Sequence, residues 1–288
     1  MIPAQFDYIA PATLDEALAL LSQHGDDAKV LAGGHSLIPA MKLRLAQPQL
    51  LIDIGRINGL SYIREEGGQI RIGAMTTHYQ IESSSRLREI CPMLPEAAGK
   101  IGDVQVRNKG TIGGSLAHSD PAADWPAVAL ALDVDLLAVN SNGERTIRAV
   151  DFFVDLFTTA LEPGEILSEI RIAARKAGTG QAYLKAPQPA SGFAVVGVAV
   201  NLTRDAAGKC ESIAVGVTGV ASKAYRAVAV ESALTGGALD EATIAAAASH
   251  ATAGVENNGD LFASAEYRKH LAAVYTRRAI GNAVTSSR

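Results

Sequence analysis

The first residues of the chain carry apolar positions at the spacing of one helix face. This stripe consists of Leu14, Leu18 and Leu21. Thr13 and Glu16 fit a capping box at its start, in which the threonine hydroxyl and the glutamate carboxylate each accept a backbone N–H. Gly25 indicates where the helix ends. The pattern therefore predicts a helix between Thr13 and Gly25, within a first unit of β/α character.

Farther along, alternating or continuous apolar runs predict strands, and longer periodic stretches predict helices. The alternating runs 60–64 and 69–73 flank Glu65-Glu66-Gly67-Gly68, which predicts a hairpin. The other predicted strands are 29–31, 50–54, 134–139, 145–150, 165–172, 193–203 and 210–219. The other predicted helices are 36–45, 78–83, 94–101, 125–132, 225–234, 239–251 and 263–283.

Two segments show no clear period. Residues 102–124 are predicted to form one long loop, and loops of this length in compact domains are usually functional or disordered. A functional loop is favoured because the segment contains a pair of glycines. Residues 174–180 are polar and contain glycine, which predicts a linker before a smaller C-terminal domain of sheet and helices.

Composition excludes several classes of protein. The 288 residues carry a net charge of −4 without a basic stripe, which argues against a nucleic-acid partner. The start of the chain does not resemble a signal peptide, and the longest apolar run, 193–200, is too short to span a bilayer. We therefore expect a cytoplasmic protein without a transmembrane segment. Cys91 and Cys210 are the only cysteines, too few for an iron–sulfur cluster.

Two glycine pairs, about eighty residues apart, carry the chemistry of this chain. They lie in the segments Ala32-Gly33-Gly34-His35-Ser36 and Thr111-Ile112-Gly113-Gly114-Ser115. Glycine lets backbone N–H groups approach an anion closely, and serine hydroxyls can complete a phosphate site. The Rossmann, P-loop, H-E-x-x-H and G-x-S-x-G motifs are absent from the sequence. Two segments that grip one diphosphate from two sides predict a bound FAD.

Of five single residues with candidate roles, four allow two interpretations each. His35 fits a donor to a phosphate or flavin, or a residue that fixes its own turn. Asp120 fits an acceptor for ribose or ribityl hydroxyls, or an Asx turn before Pro121. Asp124 is interpreted as a helix cap. Arg107 and Lys185 fit either cofactor contacts or solvated surface charges.

With these motifs in hand, the chain resembles the FAD-binding medium subunit of the molybdenum hydroxylases. That family includes xanthine dehydrogenase, carbon monoxide dehydrogenase and the bacterial N-heteroaromatic hydroxylases. The resemblance spans essentially the whole chain and its motifs occur in the family's order. The segments that carry it are 6–8, 31–39, 72–76, 106–115, 120–121, 161–165 and 191–194.

The resemblance implies an α+β protein with the two-subdomain FAD-binding fold of the vanillyl-alcohol-oxidase type and a smaller α/β C-terminal domain. The implied FAD-binding domain is 1–176, with subdomains of about 1–57 and 58–176, and the implied C-terminal domain is 177–288. Phe193 occupies the position of an aromatic residue that covers one flavin face in many relatives. No catalytic residue and no metal ligand is expected on this chain. The implied FAD contacts are Ala32, Gly33, Gly34, His35, Ser36, Leu37, Ile101, Thr111, Ile112, Gly113, Gly114, Ser115, Ala117, Asp120, Leu161, Lys185 and Phe193.

The resemblance also implies partners. A large subunit would hold the molybdenum cofactor and hydroxylate substrate, and a small subunit would hold two [2Fe–2S] clusters, in a dimer of heterotrimers. Electrons would reach the FAD of this chain and leave to an external acceptor. The stretch 115–124 resembles aldehyde or N-heteroaromatic hydroxylases, with a carbon monoxide dehydrogenase as the alternative. Two alternative hypotheses for the function are a stand-alone FAD oxidase or reductase and a flavin-free scaffold subunit.

Overall fold

The computed structural model describes residues 1–287, and the chain begins with a small parallel sheet. Its elements are β1 (Asp7–Ile9), α1 (Leu14–His24), β2 (Ala28–Leu31), α2 (Leu37–Lys42) and β3 (Leu50–Asp53). β3 lies between β1 and β2 and pairs with both in parallel. Leu18 and Leu21 of α1 are buried against this sheet, and the capping box of Thr13 and Glu16 is formed as predicted.

A five-stranded antiparallel sheet and a group of short helices follow. The strands of this region are β4 (Ile63–Glu66), β5 (Gln69–Gly73), β6 (Asp135–Asn140), β7 (Gly143–Arg148), β8 (Phe153–Asp155), β9 (Thr158–Thr159) and β10 (Ile166–Ala173), of which β8 and β9 lie outside the five-stranded sheet. The helices are α3 (His78–Ser83), α4 (Ser85–Ile90), α5 (Met93–Ala98), α6 (Val104–Lys109), α7 (Ile112–His118), α8 (Trp125–Ala131) and α9 (Ala149–Phe152). The sheet has the order β4-β5-β10-β6-β7, while β8 and β9 form a separate hairpin. Isoleucines of β5 and β10 pack with the helices in the largest core.

The C-terminal part is an antiparallel sheet covered by helices. Its elements are β11 (Thr179–Pro187), β12 (Ala194–Arg204), β13 (Cys210–Thr218), β14 (Tyr225–Arg226), α10 (Val228–Leu234), α11 (Glu241–Ala248) and α12 (Ala265–Ser286). α12 packs against β11 and β12, and α8 packs against β12 and β13. Every residue of α8 is buried. A Cβ at Gly216 would lie 2.0 Å from the Ala127 carbonyl oxygen, so glycine lets β13 touch α8.

The prediction of one long loop over 102–124 is wrong. α6 and α7 occupy more than half of this segment, and they have only 6 and 7 residues, too few to display a helical period. Asp103 and Thr111 cap them with their side chains. Gly113 and Gly114 therefore lie in the first turn of α7 and not in a loop, because capping and tertiary packing outweigh the low helix propensity of glycine.

Smaller differences concern the ends of elements. The predicted linker 174–180 overlaps β11, which begins at Thr179. The predicted helix 225–234 begins with the short strand β14. α2 ends at Lys42 and not at residue 45, since Arg44 adopts a left-handed φ of 59°. Mixed helix and sheet content confirms the predicted fold class. No helix among residues 1–287 is long and apolar enough to cross a membrane.

Candidate functional site

A cavity of about 410 Å³ lies between the first parallel unit, the helices α6 and α7, and the hairpin that joins β11 to β12. Every FAD contact implied by the sequence lines this cavity except Ile112 and Lys185. Ile112 is buried in the core instead. Two segments far apart in sequence, 32–37 and 111–117, thus share one cavity wall. Wall residues that the sequence analysis did not select include Met75, His78, Asp124, Glu165 and Gly192.

The two glycine pairs bring their segments into direct contact. A Cβ at Gly33 would lie 2.1 Å from the carbonyl oxygen of Lys109, and a Cβ at Gly114 would lie 3.3 Å from the Ala32 Cβ. Gly34 has a φ of 77°, a conformation that glycine adopts at little cost. The glycines are therefore needed for packing as much as for access to a ligand.

The backbone amides of the two segments differ in what they bind. Within the described chain, 1–287, the amides of residues 33–37 donate to no protein acceptor. In the second segment, the Ile112 amide donates to the Thr76 carbonyl at 3.1 Å and the Gly113 amide to the Ala74 carbonyl at 2.9 Å. The Gly114 amide donates to Thr111 Oγ1 at 3.1 Å. The amides of residues 112–114 are thus bonded within the protein, whereas those of residues 33–37 are not.

This arrangement fits the diphosphate of FAD. A turn of consecutive unpaired N–H groups is an anion-binding concavity. Glycine at position 33 lets this turn lie against the backbone of Lys109, with which a side chain would collide. The second segment contributes Ser115 and two glycines, which have no side chains, to the cavity wall.

Lys185 lies outside the cavity wall, where it forms a buried ion pair with Asp124. Its Nζ is 2.9 Å from Asp124 Oδ1 and donates to the Gly192 carbonyl at 2.7 Å and to the Lys100 carbonyl. The Tyr183 hydroxyl also donates to Asp124. Burial raises the pKa of the Asp124 carboxyl, and the charge of Lys185 opposes this shift. The ion pair ties together two stretches of the cavity wall that surround it.

Asp124 and Arg107 therefore have other contacts than those considered from the sequence. Asp124 occupies the N-cap position of α8, but its side chain makes no capping bond, so that interpretation is wrong. The Arg107 guanidinium donates to the carbonyls of Ile101 at 3.2 Å and Gly102 at 3.1 Å, and its Nε donates to Glu82 at 2.8 Å. Arg107 thus anchors a turn of the cavity wall and is not a free surface charge.

The remaining predicted residues lie at different depths. Asp120 Oδ1 accepts the Ala122 amide at 2.8 Å, so the Asx turn is formed in a residue that also lines the cavity. His35 is exposed at the wall. Phe193 is 46% exposed, and Leu161 is half-buried. His118, also on the wall, packs against Phe157 with ring centroids 5.0 Å apart and the ring planes tilted by 39°.

Comparison with known proteins identifies the family of this chain. A family model described as the FAD binding domain in molybdopterin dehydrogenase matches residues 4–174, more than half of the chain. A second, the CO dehydrogenase flavoprotein C-terminal domain, matches residues 181–283. The chain belongs to the FAD-binding medium subunits of the molybdenum hydroxylases. The predicted family is thereby confirmed.

Individual relatives of this medium subunit cover nearly all of it. It is 44% identical to the carbon monoxide dehydrogenase medium chain of Hydrogenophaga pseudoflava, over 98% of both chains. It is 38% identical to the 6-hydroxypseudooxynicotine dehydrogenase complex subunit alpha of Paenarthrobacter nicotinovorans, over 100% of this chain and 97% of that one. A solved Hydrogenophaga pseudoflava carbon monoxide dehydrogenase lacking the Mo-pyranopterin moiety superposes with a TM-score of 0.96 at 45% identity, covering 99% of each chain.

Membership fixes the role of the chain at the level of its cofactor. The medium subunit carries FAD and is part of an oxidoreductase. In the homologous carbon monoxide dehydrogenase and xanthine dehydrogenase systems, the molybdenum cofactor and the [2Fe–2S] clusters are carried by partner subunits. The cysteine count agrees, because Cys91 and Cys210 are both buried single thiols.

Proposed function

We propose that this medium subunit relays electrons from the [2Fe–2S] clusters of its small partner to an external acceptor. The observation that carries the proposal is the row of unpaired amides at residues 33–37 beside the contact of the two glycine segments. FAD, when bound, supplies the exchange between single electrons and electron pairs. The chain's own residues bind and orient the cofactor, and no side chain of the cavity is required as an acid or base on the organic substrate.

Within this proposal, different cavity residues contact different parts of FAD. The amides of residues 33–37 donate to the diphosphate, as does the Ser115 hydroxyl. Asp120 accepts from ribose or ribityl hydroxyls. Leu161 and Phe193 contact the isoalloxazine. Lys185 acts through the turn at residues 100–102 that it holds in place.

We also propose the larger organisation that the family resemblance implies. The FAD-binding domain is 1–176, with subdomains of about 1–57 and 58–176, and the C-terminal domain is 177–288. The complete enzyme is a dimer of heterotrimers in the cytoplasm. Mass measurement of the assembled complex tests the stoichiometry, because a single heterotrimer has half the expected mass.

For the substrate, we propose an aldehyde or an N-heteroaromatic compound, hydroxylated by the large subunit. The stretch 115–124, with Ala122 and Ala123 after Asp120-Pro121, supports this choice. Carbon monoxide oxidation is the second candidate, and the 44% identical medium chain of a carbon monoxide dehydrogenase favours it. Turnover of the purified complex with carbon monoxide, an aldehyde and an N-heteroaromatic compound distinguishes the two.

The experiment that tests the relay is a visible absorption spectrum of the chain alone and of the chain purified with its partners. We expect flavin bands near one FAD per chain, released as FAD and not as FMN, and added iron–sulfur absorbance in the complex. Reduction of the iron–sulfur clusters should be followed by flavin bleaching. A complex whose clusters are reduced by substrate while the flavin stays oxidised would contradict the proposal.

A further inference from the structure

A buried histidine beside the second glycine segment has no assigned role. His78 is the first residue of α3, is 4% exposed and belongs to the cavity wall. Its backbone amide donates to the Gly110 carbonyl at 3.0 Å, which fixes it against the second segment. A lone histidine at the start of a short helix gives no signal in a sequence, so only the structure draws attention to it.

The contact with Trp125 determines which ring nitrogen of His78 carries the proton. The indole Nε1–H can only donate, and it lies 3.1 Å from His78 Nδ1. Nδ1 must therefore be an acceptor, and the proton of the neutral ring is on Nε2. Burial, the main cause, with the charges of His35 and Arg107, lowers the pKa of His78 to about 4. The ring is thus neutral at pH 7 and presents one N–H donor.

That donor has no protein acceptor among residues 1–287. A Cβ at Gly110 would lie 2.7 Å from His78 Nε2, so glycine at this position leaves Nε2 uncovered. Nε2 is not among the fully enclosed side-chain atoms that lack a partner, so it keeps surface that a ligand can reach. The Ile112, Gly113 and Gly114 amides, by contrast, are already bonded within the protein. Apart from the Thr111 amide, donors on this side of the cavity must therefore come from side chains.

We propose that His78 donates its Nε2–H to a diphosphate oxygen of FAD, and that Trp125 is the positioning residue that holds the required tautomer. The inference rests on the proposed function, in which the two glycine segments flank the diphosphate. It adds a neutral side-chain donor on the side where the backbone amides are occupied.

The test uses the assembled complex stripped of FAD, with the affinities for FAD, ADP and riboflavin measured by titration. Riboflavin has no phosphate, so it separates loss of a diphosphate contact from a general defect of the cavity. For His78→Leu we expect FAD and ADP affinities to fall about tenfold, as for one hydrogen bond to a charged acceptor, and riboflavin affinity to be unchanged. His270→Leu, at an exposed position of α12, is the matched control and should change none of the three.

Trp125→Phe keeps an aromatic ring in the core but removes the indole donor. We expect a smaller loss, about threefold, again confined to FAD and ADP. If His78→Leu does not assemble, this variant decides. Unchanged FAD affinity in the assembled variants, or equal losses for riboflavin and FAD, would overturn the proposal. A wild-type complex that fails to rebind FAD would instead refute the proposed function.

Discussion

The two glycine segments look alike in sequence and differ in structure. The first, 33–37, turns its backbone amides away from every protein acceptor in the described part of the chain. The second begins a helix, and its amides tie α7 to Ala74 and Thr76. Its glycines allow close packing, since a Cβ at Gly113 would lie 2.4 Å from the Ala74 Cβ. A glycine pair therefore indicates that another group lies close to the backbone. Whether that group is a ligand or the protein itself depends on whether the amides are already hydrogen-bonded within the protein.

The largest expected effect on FAD affinity comes from a side chain placed at the contact between the two segments. In Gly33→Ala the new Cβ would meet the Lys109 carbonyl at 2.1 Å, so the backbone of the first segment must move. We expect FAD affinity to fall about 100-fold, equivalent to loss of about 2.7 kcal/mol of charge-assisted hydrogen bonding. Flavin titration of the stripped complex measures it. Gly59→Ala is the control, because no atom lies within 4 Å of its Cβ position; equal losses in both variants would refute the argument.

Lowering the pH should reduce the free energy of unfolding, because His78 is buried beside the second segment. Burial lowers the pKa of folded His78 to about 4, whereas the unfolded chain has a pKa near 6.5. The unfolded state therefore binds more protons between these values, and stability falls as the pH is lowered from about 6.5 to 4. The full difference is about 3 kcal/mol. Chemical unfolding of wild type and His78→Gln across this range measures it, and identical slopes would contradict the assignment.

Gly113→Ala should separate packing from binding. Its methyl group would crowd Ala74, and overpacking of this kind costs about 1–3 kcal/mol. We expect a lower melting temperature and a nearly unchanged FAD affinity in the fraction that stays folded, the reverse of Gly33→Ala. Gly281→Ala, at an uncrowded glycine of α12, serves as the helical control. A larger effect on FAD affinity than on stability would contradict the proposed difference between the two segments.

A small effect is expected at Ser115, a polar residue of the second segment that lines the cavity. Ser115→Ala removes one hydroxyl and leaves the helix intact. We expect FAD affinity to fall about fivefold, as for one hydrogen bond of about 1 kcal/mol. Titration with FAD and with riboflavin checks that the loss concerns the diphosphate, and a loss shared by both ligands would argue against this contact.

The sequence predicts local features of this molecule better than it predicts their use. The capping box at Thr13 and the hairpin after residue 60 follow from local pattern. The shared cavity of the two glycine segments follows from their common motif and the family resemblance. The amides of the second segment do not, because their acceptors Ala74 and Thr76 lie more than thirty residues earlier. The same holds for Trp125 with His78, whose contact joins residues 47 positions apart.

Charged residues were the hardest to interpret. Arg107 and Lys185 look like surface or ligand-binding cations in sequence, yet both bind backbone carbonyls of the turn at 100–102. Whether a lysine binds a ligand or a carbonyl depends on the turn that folds next to it, and no local pattern encodes that turn. Asp124, which pairs with Lys185, shows the same limit. The sequence predicts its position at the start of α8 but not its ion pair.

The most direct test of the difference between the segments is amide hydrogen exchange of the stripped complex with and without FAD. We expect the amides of residues 33–37 to exchange rapidly without FAD and to be protected when it binds. Those of residues 112–114 should be protected in both states, because their acceptors belong to the protein. Protection by FAD at 112–114 with no change at 33–37 would contradict the account.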